Sequence, residues 1–180
     1  MRHGKPAFTG GKKVTSEAMA SWIKHYDLAD IGSDSPSEAS RKLAAKALVV
    51  FSSPLPRAIS SLAALNLTPK KVVEVFREAE LPVYLIPVVK LSPFSWVLFF
   101  RLLWLCGMSH KAESLALAKG RARQGADLLE KYARERSGPV LMMGHGIINR
   151  LIAQQLIARG WTARARAGKG YWGADVFQFP

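Results

Sequence analysis

Two short apolar runs without polar alternation, residues 47–51 (ALVVF) and 140–143 (VLMM), constrain the fold more than any other feature of the chain. A strand with no polar face is buried on both sides, which is the situation of a parallel sheet covered by helices. Each run leads through a short loop into a helical stretch. Residues 52–56 connect the first to a helix over 58–66, and Gly144-His145-Gly146 connects the second to a helix from about 147 to 159. Alternating strands and helices predict an α/β fold. Ser35-Pro36-Ser37-Glu38 reads as a capping box with Pro at the first helical position, opening a helix to residue 46. Thr15 or Ser16 is expected to cap a helix whose face carries Met19, Trp22, Ile23 and Tyr26. A third strand is expected over 72–76, a long basic amphipathic helix over 112–136, and an edge strand over 174–179.

The 180 residues amount to one domain, 1–180. Their charge is unbalanced: 26 Lys and Arg against 13 Asp and Glu leave a net +13, which implies an anionic partner. Nucleic acid, an acidic membrane surface and a phosphorylated small molecule are the candidates. The basic residues are scattered and carry no nucleic-acid motif, so nucleic acid is not expected. Cys106 is the single cysteine, which excludes an intrachain disulfide and any multi-cysteine metal centre. With no Asp-x-Asp or His-x-x-x-His either, no metal and no cofactor is expected. The first residues have no apolar core of a signal peptide, so a cytoplasmic protein is expected. The most apolar tract, 91–108, is interrupted by Pro93, Ser95 and Arg101 and reads as a buried or surface-lying helix rather than a membrane span. Within it, 96–104 suits an ordinary core helix, a lid or a membrane-contacting helix, and 94–106 is a candidate for peripheral membrane contact.

In parallel sheets ligands bind beyond the carboxyl ends of the strands, so the strand-to-helix loops are where function is sought. Those loops hold Ser52, Ser53 and Arg57 after the first run and His145 after the second, and Arg2-His3-Gly4 opens the chain. Singly, each has a plain explanation: a Gly-His-Gly tight turn, a solvated arginine, a chance tripeptide. Together they are the residue types that phosphoryl transfer requires, because that chemistry asks mainly for positioning and charge neutralisation. Arg2 and Arg57 offer planar forks to phosphate oxygens. His145 can donate a further hydrogen bond. His3, if neutral near pH 7, can attack phosphorus.

In these segments the chain resembles the histidine phosphatase superfamily, also called phosphoglycerate mutase-like. Arg2-His3-Gly4 resembles the family signature. Ser52-Ser53-Pro54-Leu55-Pro56-Arg57-Ala58 is similar to its serine-rich loop ending in Arg-Ala, Phe76-Arg77-Glu78 to its short acidic motif, and Gly144-His145-Gly146 completes the set, with Arg150 in the following helix. The resemblance implies a three-layer α/β/α sandwich with a mostly parallel central sheet. It also implies a phosphohistidine intermediate on His3, phosphate held by Arg2, Arg57 and His145, and a proton donor at Glu78, with Glu80 as the alternative. The implied activity is metal-independent hydrolysis of a small phosphorylated, anionic substrate. A phosphoglycerate mutase-type phosphoryl transferase, and an inactive member that only binds phosphate or a membrane surface, are the other readings. Two features depart from the family pattern. The strand expected before Arg2 is missing or truncated, and Leu81-Pro82 and Asn149 differ from the mutase branch.

Overall fold

The computed structural model describes residues 1–8, 10–136 and 138–179. In chain order its elements are β1 (Val14–Thr15), α1 (Met19–Leu28), α2 (Glu38–Ala44), β2 (Val49–Ser52), α3 (Pro56–Ala64), β3 (Lys71–Val72), a 3-10 turn at Glu74–Phe76, β4 (Lys90–Leu91), α4 (Pro93–Leu105), α5 (Leu115–Arg136), β5 (Val140–Met143), α6 (Gly146–Ala158), β6 (Thr162–Ala167) and β7 (Ala174–Gln178).

The two apolar runs are the centre of the fold. β2 pairs in parallel with β5, Val49 opposite Val140 through Ser52 opposite Met143, and β3 lies on the other side of β2. Because successive side chains of a strand point to opposite faces, the run divides between two cores. Val49, Phe51 and Met142 pack with Ala118, Ala122 and Ala126 of α5 and Ile148 and Ile152 of α6. Val50, Leu141 and Met143 pack with Ala44 of α2 and Ala58 and Leu62 of α3. Helices therefore cover both faces of the sheet, giving the α/β/α layering. The alanines recur every fourth residue, so they form one small-residue stripe that brings α5 close to its neighbours.

Residues 1–4 run beside β5 in the same direction, with Arg2 bridged to Gly144. On the β5 side Gly144 N donates to Met1 O (3.0 Å) and His3 N to Gly144 O (3.1 Å). On the other side Arg2 N donates to Gly173 O (2.8 Å) and Trp172 N to His3 O (3.3 Å). His3 is thus held by backbone hydrogen bonds on both flanks.

Several boundaries differ from those expected, each for a local reason. The cap of α2 is Ser37, not Ser35: its hydroxyl accepts from Ser40 N (3.2 Å), and Pro36 stays outside the helix. Neither Thr15 nor Ser16 caps α1. Thr15 pairs with Lys90 in a two-stranded sheet, and the Ser16 hydroxyl exchanges hydrogen bonds with the Ile86 backbone. The strand expected over 72–76 ends at Val72, and the 3-10 turn that follows buries Phe76 against Phe51. The edge strand expected over 174–179 is β7, but its partner is β6, an antiparallel strand not foreseen from the sequence TARARA. Tract 91–108 supplies α4, which buries Trp96, Phe100 and Trp104 and exposes its opposite side. No helix among the described residues is long and apolar enough to cross a membrane.

Candidate active site

Parallel β2 and β5 end at the same edge of the sheet, and residues 2–4 reach that edge beside β5. This geometry brings together residues separated by more than 140 positions in the chain. The rings of His3 and His145 lie 4.9 Å apart between centroids, and both side chains are buried, at 2% and 0% exposure. Arg57, in the first turn of α3, is buried to 2% exposure. Arg2 lies against the ring of Tyr171, 4.4 Å from its centroid, and that ring is in turn 5.7 Å from His3.

The tautomer of His3 follows from its partner. Its Nδ1 lies 2.6 Å from Gly4 O; a carbonyl only accepts, so the proton is on Nδ1 and Nε2 carries the free lone pair. Burial, then the charge of Arg57, then that of Arg2 push the His3 pKa down to about 3, against the opposing bond to Gly4. The ring is therefore neutral at physiological pH. His145 is also held well below the usual histidine range, first by burial and then by His3, Arg57 and Arg2.

His145 Nε2 lies 2.7 Å from Ser53 Oγ, which already accepts from Leu55 N (3.3 Å). With Ser53 as the donor in this bond, the His145 proton sits on Nδ1. That Nδ1 is buried and has no hydrogen-bond partner among the described residues, and the same holds for Nε of Arg2 and Nε of Arg57. Two buried guanidinium N–H groups and one imidazole nitrogen in one cluster of residues have unmet bonding capacity, and for the N–H groups an anion would relieve it.

The backbone at this edge is shaped for close approach. A Cβ on Gly4 would lie 2.5 and 2.7 Å from ring atoms of Trp172, and one on Gly144 would collide with Asn149 Oδ1. Asn149 accepts from His145 N (3.0 Å) and donates to Met1 O (3.0 Å), tying α6 to the first residues of the chain.

Glu78 and Glu80 separate. The Glu78 carboxylate accepts from Ile147 N (3.1 Å) and Ile148 N (3.0 Å), filling the N-terminus of α6 where His145 offers no side-chain cap. A Cβ on Gly146 would lie 3.7 Å from Glu78 Oε2 and 3.8 Å from Arg2 Cζ, so this carboxylate shares the surroundings of Gly146 with Arg2. Glu80 turns away and accepts from Glu113 N (2.8 Å). Arg150 is exposed and lines, with Arg2 and His145, a cavity of about 1320 Å³ beside the β6–β7 hairpin. No group of three or more His, Cys, Asp or Glu able to hold a metal ion occurs among the described residues.

Three contributors escaped the sequence reading. Asp27 and Tyr26, in the last turn of α1, hold Arg57: its terminal nitrogens lie 3.1 Å from Asp27 Oδ1, one of them also donates to Tyr26 O (3.0 Å), and Tyr26 stacks on the guanidinium. An aspartate at a helix C-terminus is unfavourable beside the helix dipole, and that misfit is the signal that could have marked Asp27 as the partner of a distant cation. Tyr171, in a Gly-rich turn, gave no periodic signal at all.

No protein-family model and no curated protein sequence matches the chain. Among solved structures it is similar to the product of the open reading frame Rv3214 from Mycobacterium tuberculosis, at 18% identity over 87% of this chain and 77% of that one, with a TM-score of 0.59. Mycobacterial hydrolase 1 is similar at 19% identity over 87% of this chain and 76% of the other, with a TM-score of 0.57. Mycobacterial hydrolase 2 gives 19% identity, 87% and 70% coverage and a TM-score of 0.56. At these identities the likeness is one of fold.

Proposed function

We propose that the chain is a phosphomonoester hydrolase of the histidine phosphatase superfamily that acts through a phosphohistidine on His3. The observation that carries this reading is the pair of buried imidazoles 4.9 Å apart, one with Nε2 free, set among unpartnered N–H groups of Arg2, Arg57 and His145. The shared fold with two proteins named as mycobacterial hydrolases agrees with it.

In the first step His3 Nε2 attacks phosphorus as the bond from phosphorus to the leaving oxygen breaks. Arg2, Arg57 and His145 Nδ1–H neutralise the charge on the non-bridging oxygens. Glu78 enters this step as the carboxylic acid and gives its proton to the leaving alkoxide. In the second step water attacks the phosphohistidine, the P–N bond breaks, Glu78 takes the proton from water, and inorganic phosphate leaves. His3 returns to its starting form with its Nδ1–H still donating to Gly4 O.

The test is hydrolysis of para-nitrophenyl phosphate without added metal. Turnover is expected in the parent and absent in His3→Ala, whose circular dichroism should match the parent. Equal rates in the two proteins would overturn the assignment. Phosphate release without phosphate transfer to an added alcohol separates hydrolysis from the transferase reading.

A further inference from the structure

Helix α4 has the composition of a core helix and the placement of a surface one. In PFSWVLFFRLLWL only Ser95 and Arg101 are polar, so the helix is apolar around its whole circumference. Helices of that kind are buried or lie in lipid. One arc buries Trp96 and Phe100 against α1 and the 81–86 segment, and Trp104 in the core that α5 covers. The opposite arc exposes Phe94 (44%), Leu98 (62%), Leu102 (53%) and Leu105 (51%), at the spacing of one helical stripe. The segment that leads to the helix also exposes Leu85 (78%) and Val88 (95%). The helical stripe is a contiguous exposed apolar surface, which marks an interaction face.

Charge identifies the occupant. Residues 1–16 and 81–112 contain no Asp or Glu, while they contribute the exposed Lys12, Lys13, Lys90 and Lys111. Strand pairing places three of these lysines at the N-terminal end of α4: Lys12 and Lys13 directly precede β1, β1 pairs with β4, and β4 contains Lys90 and leads into the helix. Trp96 Nε1 donates to Val14 O (2.8 Å), fixing that arrangement. Lys111 follows the C-terminal end. Of the acids that border these stretches, Glu80 accepts from Glu113 N, Glu113 pairs with Arg121 (2.7 Å), and Glu17 is exposed beyond the end of β1 opposite to Lys12 and Lys13. An apolar stripe flanked by four lysines, with Glu17 the one exposed acid directly bordering these stretches, matches an anionic bilayer, with the side chains in the acyl boundary and the ammonium groups among the lipid phosphates.

We propose that the exposed face of α4, flanked by Lys12, Lys13, Lys90 and Lys111, docks the protein on anionic membrane surfaces with the helix lying in the interface plane. Arg101 donates from this helix to the carbonyls of Ala79 (2.9 Å) and Glu80 (3.1 Å), so the docked helix is bonded to the segment that carries Glu78.

The experiment is co-sedimentation of the full chain with vesicles of phosphatidylcholine alone and of phosphatidylcholine with phosphatidylglycerol. Binding is expected to the anionic vesicles at low salt, and it should fall more than about tenfold at about 0.5 M salt. Lys12→Ala should lower the partition coefficient about fivefold, and the double change L98D/L102D should lower it more than about tenfold. These side chains are exposed, and circular dichroism checks that the variants fold. As a measurement that needs no variant, an environment-sensitive fluorophore on the exposed Cys106, at the end of α4, should shift to the blue on anionic vesicles only. No sedimentation with anionic vesicles, an unshifted fluorophore, or equal binding to neutral vesicles would overturn the proposal. So would a parent dimer that L98D/L102D turns into a monomer without vesicle binding, which would assign the face to a second copy of the chain.

Discussion

Arg57 is nearly inaccessible to solvent, and both of its terminal guanidinium nitrogens lie 3.1 Å from a single oxygen, Oδ1 of Asp27. The two residues belong to different helices, α3 and α1, and their contact fixes how a buried cation is presented at the sheet edge. Arg77 extends the pair, at 3.9 Å from the other Asp27 oxygen. A buried charge with one partner depends heavily on that partner, because its loss leaves the charge uncompensated.

Asp27→Asn keeps the shape and removes the charge. It should destabilise the fold by about 1–3 kcal/mol, the range for a hydrogen bond to a charged group, discounted from the cost of a fully buried pair because Asp27 is about a third exposed. Urea unfolding measures this. Inorganic phosphate should then stabilise the variant more than the parent, since an anion would supply what Arg57 lost. An unchanged midpoint would mean that Tyr26 O alone suffices to hold Arg57.

Stability should fall on acidification because the buried histidines must acquire a proton to unfold into their ordinary range. His3 has a pKa near 3 folded and about 6.5 unfolded. Between those values the unfolded state binds more protons. The contribution of His3 is therefore fully present above about pH 6.5 and is lost as the pH drops toward 3, with a slope of up to about 1.4 kcal/mol per pH unit. His145 is lowered in the same direction and adds with the same sign. Urea unfolding at a series of pH values should show this slope in the parent and a smaller one in His3→Asn. Equal slopes would place the acid sensitivity elsewhere.

Part of the site was legible because backbone geometry is written in local composition. Two all-apolar runs followed by loops announce parallel buried strands, and parallel strands deliver their exit loops to one edge, so Arg57 and His145 had to converge. Phe76-Arg77-Glu78 was found as a motif, but the expected strand failed there: Glu74–Phe76 tightens into a 3-10 turn that buries Phe76, and that turn decides where Glu78 goes. Asp27, Tyr26 and Tyr171 were not legible, since each acts through a contact between elements distant in sequence. β6 was hidden for a different reason. Its alternation of Ala and Arg lies on an exposed hairpin, so no buried face marks its period.

Gly4→Ala probes the close approach at the His3 corner. The added methyl would sit 2.5 Å from a ring atom of the buried Trp172 and 3.0 Å from Asp34 Oδ2, to which the Trp172 indole N–H donates (2.8 Å). Relief requires moving that ring or the backbone that holds His3. We expect a loss of about 1–3 kcal/mol together with lower kcat, and thermal unfolding beside para-nitrophenyl phosphate kinetics checks both. A variant as stable and as active as the parent would show that Trp172 moves aside freely.

Ser53→Ala removes the hydroxyl that is hydrogen-bonded to His145 Nε2 (2.7 Å). The bond is buried, so its loss should cost about 1 kcal/mol of stability and, if the bond acts equally in the transition state, about fivefold in kcat. The diagnostic readout is KM against kcat. A bond that only orients His145 toward transferring phosphate lowers kcat with KM little changed, whereas a purely structural serine would lower the midpoint of unfolding and leave kcat alone.

The two carboxylates of the acidic segment give the sharpest test of the proposed mechanism, because their surroundings differ although they stand two residues apart. Glu78 caps α6 next to Arg2 and Gly146, whereas Glu80 accepts from the Glu113 backbone. A proton donor matters only when the leaving oxygen is too basic to depart unaided. Glu78→Gln should therefore slow alkyl phosphates on the order of a hundredfold while slowing para-nitrophenyl phosphate far less. Glu80→Gln should treat both substrates alike. Glu78→Gln keeps an oxygen able to accept from Ile147 N and Ile148 N, so α6 retains its cap, and a uniform loss on all substrates would show that Glu78 serves only that capping role. The leaving-group dependence appearing in Glu80→Gln instead would move the proton donor to Glu80, and with it the side of the segment from which substrate enters.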